Sequence, residues 1–180
     1  MSHRADMFLD PADDPRETGP LLGDERTTLL DYLRYQRLTL EVKCQGLDAA
    51  QLATRSVEPS TMSLLGLVRH MAEVERGWFR RTLAGEEAPP IYRTDDDADG
   101  EFNGAAADPQ LVEEAWQILH EEQAFSDRFI DEHRDLGLVV THRDERVSLR
   151  EILVHMIEEY ARHNGHADLL RERFDGRIGE

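Results

Sequence analysis

Four stretches of this chain repeat apolar side chains at intervals of three and four residues, and each is bounded by residues that start or stop a helix. From Asp24 to about Gln45 the apolar members are Leu29, Leu33, Leu40 and Cys44, and Gly46 ends the run. Ser63 caps a second stretch, which carries Leu64, Leu67, Val68, Met71, Val74, Trp78 and Phe79 as far as Leu83 before Gly85 closes it. Asp108-Pro109 opens a third, running through Trp116, Leu119, Phe125, Phe129 and Ile130 to near His133. In the fourth, Ser148 and Glu151 make a capping-box pattern ahead of a helix that lasts to about Phe174, with Gly176 at its exit. The economical architecture for such a chain is all-α: a four-helix bundle with one long crossover loop after the second helix.

The intervening segments fit that reading. Residues 86 to 107 hold Pro89, Pro90, Asp95, Asp96, Asp97, Asp99 and Gly100 with no helical stripe and no strand alternation, as expected of an acidic crossover. Leu138, Val139 and Val140 form a turn or a brief extended piece, too isolated to build a sheet. Residues 1 to 23, with Pro11, Pro15, Pro20, Gly19 and Gly23 among acidic side chains, read as an extended, loosely attached N-terminal arm, leaving 24 to 180 as the bundle. At 180 residues the chain fits one domain, whose core needs no disulfides.

Charge and composition remove several function classes. With 21 Lys and Arg against 38 Asp and Glu, the formal charge of -17 repels phosphate backbones and anionic lipid, and no basic run or aromatic platform offsets it. Nucleic acid is therefore not an expected partner. The single cysteine, Cys44, excludes an intramolecular disulfide and a thiolate metal cluster, and suits a reducing compartment. No run of about 18 apolar residues and no apolar leader occurs, so no membrane partner is expected and the cytoplasm is the expected location.

Chemistry concentrates on the fourth helix, where His155, His163 and His166 fall within one short stretch. Spaced at about 100° per residue, Leu149, Ile152, Leu153, Met156, Tyr160 and Leu170 define the buried stripe. His163 lies inside that stripe, Glu159 sits one turn earlier on its edge, and His155 and His166 lie further round. A carboxylate and an imidazole at i and i+4 converge on one point, in a donor set suited to zinc, nickel, iron or manganese. The same spacing also suits a core histidine hydrogen-bonded to a helical glutamate, and spacing alone leaves both open.

The second helix offers His70, on the rim of its apolar face beside Leu67 and Val74. Glu75 falls near the middle of that face and needs a partner; Arg34 or Arg37 would make it a structural ion pair, and otherwise it joins the site. Arg171, one turn beyond Ala167, is either a solvated arginine of the last turn or a grip for an anionic group.

Two segments carry a family resemblance. Ser63-Leu-Leu-Gly-Leu-Val-Arg-His70-Met-Ala-Glu-Val-Glu75-Arg-Gly-Trp78-Phe79 and Glu159-Tyr-Ala-Arg-His163-Asn-Gly-His166-Ala-Asp168-Leu-Leu-Arg171-Glu together resemble the DinB superfamily, closest to an actinobacterial branch. The resemblance spans about residues 24 to 175. It implies a four-helix bundle with a metal ligand on helix two and a ligand pair one turn apart on helix four, usually in the pattern His-x-x-x-His-x-Gly-Gln. The first of that pair is here Glu159, as in the similar mycothiol-dependent maleylpyruvate isomerases, the second is His163, and His70 becomes the third ligand. His166 stands where Gln is common. The resemblance further implies a divalent metal, zinc first and nickel second, and an S-transferase that uses a low-molecular-weight thiol such as mycothiol on a small electrophile. A metal-dependent hydrolase sharing the same site and a non-catalytic structural metal-binding bundle are the competing expectations. A homodimer is compatible with such a bundle, though no residue specifies one.

Overall fold

The computed structural model describes residue 9 and residues 14–177. Its helices begin where the sequence supplies side-chain oxygens. Asp24 accepts from the Thr27 N–H and opens α1 (Glu25–Cys44), and Asp48 and Gln51 cap one another's backbone to start α2 (Ala49–Ala53), a short helix that periodicity does not reveal. Ser63 accepts from Gly66 at the head of α3 (Leu64–Glu75), and Asp108 accepts from Gln110 before α5 (Pro109–Glu132). Ser148 accepts from the Glu151 N–H at the start of α6 (Leu149–Asp175), which ends on Gly176 in the left-handed conformation, φ 71°.

Two elements depart from expectation. The second predicted helix is not α-helical to its end: from Arg76 to Leu83 it widens into a π-helix, in which the Ala84 N–H reaches back five residues to the Phe79 carbonyl. The segment around Val139 does form a sheet. β1 (Val139–His142) pairs antiparallel with β2 (Glu145–Ser148), Val140 opposite Val147, across a two-residue turn in which Arg143 and Asp144 take positive φ values of 48° and 69°. Such turns ordinarily advertise themselves through Asn-Gly or Asp-Gly, and Arg-Asp carries no such signal. The crossover also contains one turn of helix, α4 (Gly100–Asn103), packed on α3.

The described chain is therefore mainly α-helical with one small two-stranded sheet. α1 packs along α6, while α3 packs against both α5 and α6. Leu33 and Leu40 from α1, Leu64, Leu67 and Met71 from α3, Leu119 from α5, and Ile152, Met156 and Tyr160 from α6 share the core, all nearly inaccessible to water. At its centre a fully buried Glu75 accepts from Arg37 Nε and Nη2 (2.8 and 3.0 Å), Ser126 Oγ (2.6 Å) and the Tyr160 hydroxyl (3.0 Å). With its oxygens occupied in this way, Glu75 is the structural ion pair, and Arg37 is its partner. Arg34 instead holds Asp31 and the carbonyls of Pro15 and Arg16.

Just over half of the expected arm, residues 1 to 23, lies outside the described residues. In its described part Asp14 caps a 3-10 turn (Pro15–Thr18) and pairs with Arg16, both side chains being buried. No helix among the described residues is long and apolar enough to cross a membrane.

Candidate metal centre

The packing of α3 against α6 brings His70, Glu159 and His163 together, with one donor atom from each within 4.8 Å of the others. All three are partly buried. His70 contributes from the rim of its helix because the crossover covers that rim: Phe102 stacks on its imidazole at 5.4 Å, and His163 meets it edge-on at 4.6 Å. Helical phase alone made His70 an uncomfortable ligand, and α4 supplies the burial that α3 does not.

The distances bear on the two readings of the α6 pair. Glu159 Oε2 lies 3.6 Å from His163 Nε2, too long for the hydrogen bond that a core histidine would make to its glutamate. Donors arranged tetrahedrally around an ion at about 2.1 Å stand about 3.4 Å apart, so the separation suits a shared ion. The protonation states suit it as well. Burial, aided by repulsion from His70, His166 and Arg162, pushes His163 down to about 4, which leaves a neutral imidazole at physiological pH. The residues present therefore fit a divalent ion.

Glu101 completes the surroundings of His70. Its Oε1 lies 3.2 Å from His70 Nδ1 and accepts from Arg93 Nε and Nη2 at 3.0 and 2.6 Å. Burial opposes charge on Glu101, but hydrogen bonds from Arg93, its own backbone and His70 outweigh that cost and hold the carboxyl below its usual range. A buried carboxylate on Nδ1 orients the ring and leaves Nε2 for a ligand role, an arrangement common behind metal-bound histidines. On the other side, His166 Nδ1 faces His163 Nδ1 at 3.4 Å, and His155 Nε2 stands 3.7 Å from Glu159 Oε1. Neither His155 nor His166 belongs to the converging trio.

Glu101 and Arg93 escape a reading of the sequence because they lie in the aperiodic crossover, 31 and 23 positions from His70. Only the acid-rich composition of that loop hints at them. Arg171 is neither solvated nor poised for a ligand: it is buried and donates to the carbonyls of Lys43 and Gln45, closing the C-terminal end of α1, while pairing with Asp175.

Residues 28–176 match the family described as mycothiol-S-transferase, which covers nearly all of the described chain. The chain belongs to the mycothiol-S-transferase family. That family is part of the DinB and mycothiol-related superfamily, in agreement with the resemblance carried by the segments around His70 and His163. Membership in the mycothiol-S-transferase family implies a mycothiol-related S-transferase with a small-molecule thiol as its partner. No curated protein shows significant sequence similarity to the chain.

Proposed function

We propose that this protein is a metal-dependent S-transferase in which His70, Glu159 and His163 hold one divalent ion, and that it joins a low-molecular-weight thiol such as mycothiol to a small electrophile. The observation that carries the reading is the convergence of two imidazoles and a carboxylate from α3 and α6 within 4.8 Å, with Glu159 and His163 at 3.6 Å, beyond a hydrogen bond. Zinc is the first candidate and nickel the second, given two nitrogen donors and one oxygen. A divalent ion bound there would act as a Lewis acid that lowers the pKa of a thiol at an open position, giving thiolate at neutral pH.

The chain's own residues do the rest. His163 stays neutral by burial, so its ring nitrogen is available without first shedding a proton. Glu101 and Arg93 fix the His70 ring from behind. Cys44 is not the nucleophile: burial pushes its thiol up to about 12, and it sits in the apolar core. The thiol must come from outside, and in the transfer its sulfur forms a bond to the electrophilic carbon. The leaving group departs with its electron pair and the thiol proton passes to solvent, or, in an addition, to the adjacent carbon.

The finer architecture belongs to the same proposal: α1, α3 with its π continuation, α5 and α6 form a DinB-type four-helix bundle over residues 24–180, with 1–23 as an arm and the cytoplasm as the location. Elemental analysis of the purified chain beside a His163→Ala variant tests the site. The expected result is close to one divalent ion per native chain and loss of it in the variant; equal content in both would overturn the reading. Turnover that depends on added thiol then separates transfer from hydrolysis.

A further inference from the structure

Several arginines of this acidic chain are matched with carboxylates: Arg37 with Glu75 and Asp127, Arg76 and Arg80 with Glu122, Arg150 with Glu25. Arg81 and Arg143 have no such partner among the described residues, although acids outnumber bases 38 to 21. Both line one cleft of about 500 Å³, a size suited to a small molecule. A third arginine, Arg93, lines it too but is matched with Glu101, and among the described residues lining the cleft the carboxylate is Glu73, whose Oε1 accepts from the backbone N–H groups of Ile91, Tyr92 and Arg93. Arg81 and Arg143 thus outnumber the one acidic side chain lining this cleft, in a molecule where acids otherwise outnumber bases.

The cleft is built beside the metal centre. Glu73 and Val74 lie one turn beyond His70 on α3, and the π-helix continues the wall with Gly77, Trp78, Arg81 and Thr82. A Cβ at Gly77 would stand 3.0 Å from Arg81 Nη2, so the guanidinium lies over the bare backbone of this glycine in the cleft. The hairpin closes the far side through His142 and Arg143, and the His142 ring packs on Trp78 at 4.9 Å. Arg93 reaches Glu101 behind His70, while Trp78 meets His155, the neighbour of Glu159. The cleft therefore touches the surroundings of the trio at both ends.

We infer that this cleft binds the carboxylate of a flat, aromatic electrophile, Arg81 and Arg143 holding the charge and Trp78 the flat body. Guanidinium forks match a carboxylate in geometry as well as charge, and an aromatic wall favours a flat ligand. Calling the ligand the electrophile rests on the S-transferase reading; binding of an aryl carboxylate does not.

The test titrates the full-length, 15N-labelled protein with benzoate and with benzamide, which has the same ring without the charge, and follows the Trp78 indole N–H and the Thr82 and His142 amides by NMR. Benzoate is expected to shift these signals saturably and benzamide far less. The Arg81→Ala/Arg143→Ala double variant should weaken benzoate about ten- to a hundredfold, the cost of one or two charge-assisted hydrogen bonds, while Arg150→Ala, outside the cleft, should not. No saturable benzoate shift, equal response to benzamide, or unchanged affinity in the double variant would overturn the inference. Since neither metal nor thiol is added and His163→Ala protein is titrated alongside, failure of the transferase reading leaves benzoate binding intact. Failure of the cleft assignment leaves metal content and thiol dependence intact.

Discussion

Glu101 shows how a single side chain from an irregular segment conditions the proposed site. It reaches His70 from the crossover and is itself held by Arg93. If its carboxylate orients the His70 ring, Glu101→Gln should weaken metal affinity about ten- to a hundredfold with little change in helix content, read by competition against a chelator. His163 makes a separate prediction for the metal-free protein. Its imidazole has an ordinary value of 6.5 and a folded value of about 4. Well above 6.5 neither folded nor unfolded chain is protonated there, so stability is unaffected. As pH falls from 6.5 towards 4 the unfolded chain takes up a proton that the folded chain refuses, so stability declines across that window. Denaturant unfolding between pH 7 and 5 should show this slope in the native chain and a flatter one in His163→Gln.

At the level of elements, the proximity of the α6 pair was legible because candidate ligands on one helix obey its period: Glu159 and His163 sit one turn apart whatever packs against them. His70 was legible only by resemblance, since its burial depends on Phe102 and Glu101 from α4. The π-helix and the hairpin were not legible. Nothing in Arg76 to Leu83 distinguishes five-residue from four-residue hydrogen bonding, and Arg143-Asp144 is a poor advertisement for a turn with two positive φ values. That last mismatch is correctable: Asp144→Gly removes a side chain at φ 69° and should stabilise the protein by up to about 1 kcal/mol, measured by thermal unfolding. Glu75 gives the opposite case. Its partners come from α1, α5 and α6, so Glu75→Ala leaves the buried Arg37 to the exposed Asp127 carboxylate and should cost about 3 kcal/mol by denaturant titration.

For the molecule as a whole, burial decides how its only cysteine behaves. Burial pushes the Cys44 thiol up to about 12 and leaves the residue only 5% accessible, so thiolate is scarce at pH 8 and hard to reach. Iodoacetamide labelling at pH 8 should therefore be slow in the native protein and should accelerate in step with global unfolding as urea is raised; rapid labelling without urea would contradict the packing around α1. Under the proposed S-transferase activity the protein would meet reactive carbon compounds at every turnover. With its sole sulfhydryl buried, the most alkylation-prone side chain of the protein would be shielded from the compounds that the proposed reaction consumes.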